Sequence, residues 1–598
     1  MGEDASGREL QATPPPEDRL SGAAGPSYVP AMTMIRLAFV LALAAPLLVA
    51  PSLAAQEFDV MEATIPGVRA ALDARRLTCR QLVQAYLDRI AAYDQHGPAL
   101  NSIQHVNARA LAEADSLDAV QRARGPRGPL HCVPVLLKDQ IETIDMPTTY
   151  GSAVFKDFIP QRDATAVKRL EAAGAIIIAK TTMGEFASRY VGSGAGIIRN
   201  AYDPRRNPSG SSGGSGSAVA ANFGLVGIGE DTGGSIRGPA AVSSLVGLRP
   251  TLPLVSRFGM LPANPTQDTM GPMTRTVADA ARVLDVLAGY DANDPVTAYS
   301  VGHVPATYTA ALRTDALRGA RIGVLRTRRD STGGRGIGAA GTGAGGSIAG
   351  GNAVLSPADS AARRDSLARR DSTTRVITAE YAKVKVVMEQ ALIDLRAQGA
   401  VIIDSLTVPM APGRRVGNDF ETEEATDAYF AQHKNAPVKT LKEILLTGPV
   451  NPWRARALIE YVGRSTRDAD YLLVMQQREA QRVAVLKLMA DERLDALVYM
   501  TFDAPPQLIA ADVLTNPRPT DGYGLGDNRG LSPSLAWPAL SVPAGFSSDS
   551  LPVGLEFLGR PWSESLLLGY GFAYEQATKH RRPPTATPPL TPALPRGR

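Results

Sequence analysis

Cysteine and histidine are scarce in this 598-residue chain, and each scarcity excludes chemistry. Two cysteines, Cys79 and Cys132, cannot build a disulfide scaffold or a four-cysteine zinc site, although one bridge between them stays open. The six histidines (His96, His105, His131, His303, His433 and His580) are scattered and form no HExxH or HxH pair. An excess of one charge is also missing. The formal net charge is +4, and no basic run is interleaved with aromatics, so nucleic acid is not an expected partner. What is present, 44% hydrophobic and 20% charged residues, suits a globular protein with a large core.

The N-terminus carries an address. In "MTMIRLAFVLALAAPLLVAPSLAAQ", Arg36 precedes an apolar run from Leu37, and Ser52, Ala54 and Ala55 close it. This pattern predicts a secretory signal peptide over residues 32–55 and a secreted or periplasmic location. Left uncleaved, a stretch of this length would anchor the chain in a membrane. Pro46, Pro51 and the small residues favour cleavage, which leaves no stable membrane partner. Residues 1–31 are polar and Pro-rich and belong outside the fold, with Met32 or Met34 as alternative starts.

Past the leader, Thr64 and Pro66 start one helix, and Thr78 with Gln81 forms a capping box for a second. Leu82, Val83, Tyr86, Leu87 and Ile90 make one apolar stripe on it. From Val133 the texture alternates between short apolar strands and helices. "VPVLLKD", Ala175–Ala179 and Leu225–Ile228 read as buried strands, and "ARIGVL", "AVIID" and "LDALVYM" repeat the type. Such repeats predict an α/β fold with a large, mostly parallel sheet covered by helices. One segment breaks the pattern. "STGGRGIGAAGTGAGGSIAGG" (331–351) and the charged repeat "ARRDSLARRDSTTR" (362–375) read as a low-complexity, disordered insertion over 327–375. The expected organisation is a single domain over 56–584 that contains this insertion, followed by a Pro-rich tail, 585–598.

A second Gly/Ser-rich stretch, "PSGSSGGSGS" (208–217), is different. It is short and leads into a small-residue helix and a strand, and at the end of that strand lies "GEDTGGSIRGPA" (229–240). Two serine-bearing turns bracketing one helix–strand unit suggest a site, since glycines there let backbone N–H groups converge on a ligand. Structural turns are one competing reading. A phosphate cradle is another, but it would want GxxxxGK[ST], and no lysine follows Gly213, Gly214 or Gly216. A Ser-His-Asp hydrolase would want GxSxG and a partner histidine, and neither stands out. A neutral lysine could activate a serine instead. Lys138 is the candidate, because five apolar residues lead directly into it at a strand end, where open α/β sheets place their sites.

These segments carry a specific resemblance. "GPLHCVPVLLKD" and "PSGSSGGSGSAVAANFGLVGIGEDTGGSIRGPA" resemble the amidase signature family of serine hydrolases. The flanks "GAIIIAKTTMGEFA", "LVGLRPTLPLVSRFGMLP", "QDTMGPMTRTVADAARVLDVLAG" and "LSPSLAWPALSVPAGF" extend it over most of the chain outside the leader and insertion. The resemblance implies the amidase signature fold, a large mixed sheet with helices on both faces. It implies a Ser-cisSer-Lys triad, with Lys138 as base, Ser211 as bridging serine after a cis bond from Gly210, and Ser235 as nucleophile. The backbone N–H groups of Thr232, Gly233, Gly234 and Ser235 fall where the family builds its oxyanion hole, and Asp231 and Arg237 fall at supporting positions. Neither cofactor nor metal is implied. The implied reaction is hydrolysis of a small-molecule carboxylic amide to acid and ammonia or amine through an acyl-enzyme. Small, aryl and peptide C-terminal amides remain open as substrates, and a homodimer as the assembly.

Three positions depart from the family pattern: Glu230 for a common Thr, Cys132 for a usual Gly and Gln140 for a usual Asn. Two other functions compete. One is an amidotransferase-like component that delivers ammonia to a partner enzyme, which a signal peptide argues against. The other is a non-catalytic exported binding protein, which the intact Lys138, Ser211 and Ser235 argue against.

Overall fold

The computed structural model describes residues 58–326, 357–408, 419–521 and 527–590. The leader and residues 327–356 of the expected insertion lie outside them. Helix α1 (Ile65–Asp73) starts where Thr64 Oγ1 accepts the Gly67 N–H at 3.2 Å. Helix α2 (Cys79–Tyr93) opens on the capping box as read: Gln81 N–H donates to Thr78 Oγ1 and the Thr78 N–H donates to Gln81 Oε1. Leu82, Val83, Tyr86 and Ile90 of the expected stripe are buried, and Leu87 is half-buried. Helices α3 (Ala110–Arg124) and α4 (Thr165–Ala172) come next.

Eleven strands form one sheet. They are β1 (Ile103–Val106), β2 (Pro134–Lys138), β3 (Ile176–Thr181), β6 (Val226–Asp231), β7 (Val246–Arg249), β8 (Thr269–Thr274), β9 (Arg321–Leu325), β10 (Val401–Leu406), β11 (Ala496–Met500), β12 (Ala539–Phe546) and β13 (Pro552–Leu558). Across the sheet their order is β1-β3-β2-β6-β8-β7-β12-β13-β11-β9-β10. A separate two-stranded pair, β4 (Val191–Gly192) and β5 (Gly196–Ile197), lies outside it. Every residue of β2, β3, β6, β7, β8, β11 and β13 is buried. Successive strand residues face opposite sides, so burial throughout means that both faces are covered.

The sheet is mixed, and its parallel pairing has a clear location. All six strands legible in the sequence pair in parallel, β3–β2–β6 in one block and β10–β9–β11 in the other. Strands β1, β7, β8, β12 and β13, which no strand–helix–strand repeat marked, bring in six antiparallel pairings among the described residues. The parallel expectation therefore describes the two blocks and not the centre between them.

Two other expectations change. Residues 357–375, read as part of a disordered insertion, form the first half of a helix, Pro357–Ala397. Their sequence favours this: Pro357 opens the helix, and Asp359/Arg363, Asp365/Arg369 and Asp371/Arg375 repeat at a four-residue spacing. The start of the Pro-rich tail is also tied to the domain. The buried Arg89 guanidinium donates to the carbonyls of Thr587 and Pro588, at 2.8 and 2.9 Å, and to those of Ala221 and Asn222. Among the described residues, no helix is long and apolar enough to cross a membrane.

Candidate active site

Parallel pairing brings the two chemical segments together. Strands β2 and β6 are neighbours, with Leu137 opposite Ile228, so Lys138 at the end of β2 lies beside the Glu230–Asp231 end of β6. The Lys138 side chain is fully buried. Its Nζ donates to Ser211 Oγ at 2.7 Å, to Glu230 Oε2 at 2.8 Å and to the Glu230 carbonyl at 3.3 Å. Burial pushes the ammonium below the ordinary lysine range, and the Glu230 carboxylate opposes that push.

Ser211 follows a cis peptide bond from Gly210. A Cβ at Gly210 would overlap the Arg189 carbonyl, so only glycine fits. The Ser211 carbonyl accepts the Gly184 N–H at 3.0 Å. Ser212 fastens the loop to β6: its hydroxyl donates to the Glu230 carbonyl at 3.1 Å and lies 3.3 Å from the Glu230 N–H. The loop then runs into helix α5 (Gly213–Ala220), which is buried throughout.

Ser235 sits between β6 and the short helix α6 (Arg237–Ala241). It is 8% exposed, whereas Lys138 is 0% and Ser211 1% exposed, so it is the member that reaches solvent. The Ser212 N–H donates to the Ser235 carbonyl at 3.3 Å, joining the two serine loops. Among the described residues, no hydrogen bond joins the Ser211 and Ser235 hydroxyls. The Asp231 carboxylate shapes the turn by accepting the N–H groups of Gly234 (2.7 Å) and Ile236 (3.1 Å) and Arg237 Nε (3.1 Å). Gly234 has φ +118°, a conformation that L side chains rarely adopt. The Gly234 N–H is spent on Asp231, which corrects one of the four expected oxyanion donors. Burial alone would raise the Asp231 carboxyl, but the Arg237 and Arg249 guanidiniums hold it well below the usual carboxylate range. Arg237 also pairs with Glu556 and donates to the Arg529 carbonyl.

Sequence reasoning missed Asp268. Thr232 Oγ1 lies within hydrogen-bond reach of Glu230 Oε1 and, at 2.7 Å, of Asp268 Oδ1. One hydroxyl proton can serve only one of them. Burial, and then the neighbouring Glu230, push the Asp268 carboxyl up to about 8, so a protonated Asp268 supplies the other bond near neutrality. "QDTMGPM" carried no signal of this beyond its acidic residue.

A small pocket is lined by Gln140, Met183, Phe186, Leu261, Thr426 and Arg454, among others. Gln140 lies two residues beyond Lys138, and Met183 precedes the glycine bonded to Ser211. Gln140 Nε2 donates to the Leu261 carbonyl and Arg454 Nη2 to that of Phe186. Gln140 Oε1 and Arg454 Nε are buried without a hydrogen-bond partner.

Cys79, His131 and Cys132 form the one cluster of metal-ligand types found among the described residues. Both sulfurs are spent in a disulfide, with Cα atoms 5.2 Å apart, and His131 Nδ1 accepts the Arg127 N–H at 3.2 Å. This leaves one ligand atom, the imidazole Nε2.

Comparison with known proteins identifies the family. A family model described as "Amidase" matches residues 81–342 and 375–568. A probable amidase of Arabidopsis thaliana is 30% identical over 554 residues, covering 88% of this chain and 92% of that protein. One of the subunits of the glutamyl-tRNA(Gln) amidotransferase of Thermosynechococcus vestitus is 32% identical over 523 residues, covering 84% and 96%. The native peptide amidase of Stenotrophomonas maltophilia superposes with a TM-score of 0.69 at 33% identity, covering 88% of this chain and 98% of that one. The chain belongs to the amidase signature family and is an amidohydrolase that acts on carboxylic amides.

Proposed function

We propose that Ser235 is the nucleophile, Ser211 the proton relay and Lys138 the base. The observation that carries this reading is the 2.7 Å bond from a fully buried Lys138 Nζ to Ser211 Oγ. A neutral Lys138 takes the Ser211 proton as Ser211 takes that of Ser235, and Ser235 Oγ attacks the amide carbonyl. The relay then returns the proton to the leaving nitrogen, and water hydrolyses the acyl-enzyme. The N–H groups of Thr232, Gly233 and Ser235 hold the oxyanion; loss of a single such donor costs about 2.7–4 kcal/mol in the measured precedent.

The substrate is a small, aryl or peptide C-terminal amide. In the small pocket beyond Lys138, the unpaired Gln140 Oε1 and Arg454 Nε offer an acceptor and a donor to the N–H and carbonyl of an amide. Export forms part of the reading, supported by the leader sequence and by the Cys79–Cys132 disulfide. The amidotransferase relative favours a second reading, in which the chain releases ammonia for a partner enzyme. The purified mature chain, incubated alone with a fluorophosphonate probe and a panel of primary, aryl and peptide amides, separates the two. Turnover of a free amide with the adduct on Ser235 supports the first. An adduct on another serine, or activity only with a copurifying partner, overturns it.

A further inference from the structure

Glu230 is a buried acid that the relay above does not use. It stands where the family commonly has threonine, and its contacts give it a role. Lys138 Nζ has three acceptors: Ser211 Oγ at 2.7 Å, Glu230 Oε2 at 2.8 Å and the Glu230 carbonyl at 3.3 Å. An ammonium gives a proton to each. A neutral amine has two N–H bonds and one lone pair, and it can act as base only if the lone pair faces Ser211.

We propose that Glu230 is the positioning residue of Lys138. Its carbonyl and carboxylate take the two N–H bonds of the neutral amine, which turns the lone pair to Ser211 Oγ, and its charge sets the pH above which that amine exists. This rests on Lys138 being the base.

The surrounding charges single out Glu230. From β6, Asp231 also acts on Lys138 by charge, but that charge is balanced by Arg237 of α6 and Arg249 of β7. From the segment before β8, burial and then Glu230 push the Asp268 carboxyl up, toward its neutral form. Glu230 has Lys138 as its one ion-pair partner among the described residues. A threonine here could accept a hydrogen bond but would bring no charge. Glutamine separates the two effects, because its amide oxygen still accepts from Nζ while the charge is gone. Leucine removes both.

The test is kcat/KM against pH for the wild type, Glu230→Gln and Glu230→Leu on one amide. The reactivity of the Lys138 amine toward an acylating reagent is followed by mass spectrometry over the same pH range. In Glu230→Gln the acid limb should move to lower pH by about 1–3 units, because an opposite charge in contact has been removed. In Glu230→Leu the limb should move the same way, while kcat falls by about 10²-fold, more than in Glu230→Gln and with KM little changed, because the amine is no longer aimed. An unmoved limb in Glu230→Gln, or equal loss of kcat in both variants, would overturn the proposal. If the wild type hydrolyses no amide and takes no fluorophosphonate label, the reading of Ser235 has failed. The amine titration still decides Glu230 in that case. Reactivity appearing at lower pH in Glu230→Gln supports it, and an unchanged titration overturns it. If Glu230→Leu does not fold, Glu230→Gln and its amine titration carry the decision.

Discussion

Asp231 and Glu230 are chain neighbours, both fully buried carboxyl groups at the end of β6, yet their surroundings differ in kind. Consecutive strand residues face opposite sides of the sheet. Asp231 meets two guanidiniums and three main-chain N–H groups, which saturate it and fix the Ser235 turn. Glu230 meets one lysine and shares Thr232 with a second carboxyl, Asp268. A saturated carboxylate builds shape. One that shares its surroundings with titratable groups leaves their protonation adjustable. In the proposed relay, the first kind lies under Ser235 and the second kind against Lys138.

The comparison can be broken or sharpened in order of expected effect. Ser235→Ala should leave both carboxylate environments and the fold in place. It should lose probe labelling and turnover by on the order of 10⁶-fold, as when a serine nucleophile is removed elsewhere. Retained turnover would show that the shaped turn serves another residue. Asp231→Ala leaves two buried guanidiniums short of a partner and should cost about 3–5 kcal/mol of stability in denaturant titration. Glu230→Gln should cost clearly less and act on the pH profile instead. Equal destabilisation by the two would erase the distinction drawn here. Replacing Cys79 and Cys132 together by serine opens a loop of 53 residues' separation, far from both carboxylates. A loss of about 2–4 kcal/mol is expected, with the pH profile unmoved. A moved profile would couple the bridge to the site. Last, deleting Gly333–Gly351 and joining the ends with a short linker should change the Tm by the equivalent of less than about 1 kcal/mol, since loop length enters closure entropy logarithmically. A collapse of expression or activity would give that segment a role in the fold.

Much of this was legible in the sequence because it is local. Strand ends, the capping box at Thr78 and the two serine turns are each written in a few adjacent residues. The strand end pointed to Lys138, the two turns pointed to a serine site, and the family resemblance picked out Ser211 and Ser235; in the fold Lys138 bonds Ser211, and the Ser212 N–H ties that loop to the Ser235 carbonyl. The features that were not legible are set by distant partners. Buried strands read as apolar runs whichever way they pair, so the antiparallel centre left no mark. The direction of the Gly234 N–H depends on the Asp231 carboxylate turning back onto its own loop, and Asp268 enters only through the fold of the segment before β8. Residues 357–375 join low-complexity composition to a four-residue Asp/Arg spacing, and the helix follows the spacing.

The central claim is that Lys138 works as a neutral base held against Ser211. It is tested most directly by kcat/KM against pH for the wild type, Lys138→Ala and Lys138→Arg. Burial lowers the lysine and Glu230 opposes that, so the neutral fraction grows as pH rises. Wild-type activity should climb through one ionisation and level off on the alkaline side. Lys138→Ala should lose about 10²–10⁴-fold together with that ionisation. Lys138→Arg should not rescue it, because a guanidinium stays charged and cannot take a proton. Near wild-type activity in Lys138→Arg with the same pH profile would show that only a positive charge is required there, and the Ser235–Ser211–Lys138 relay would be wrong.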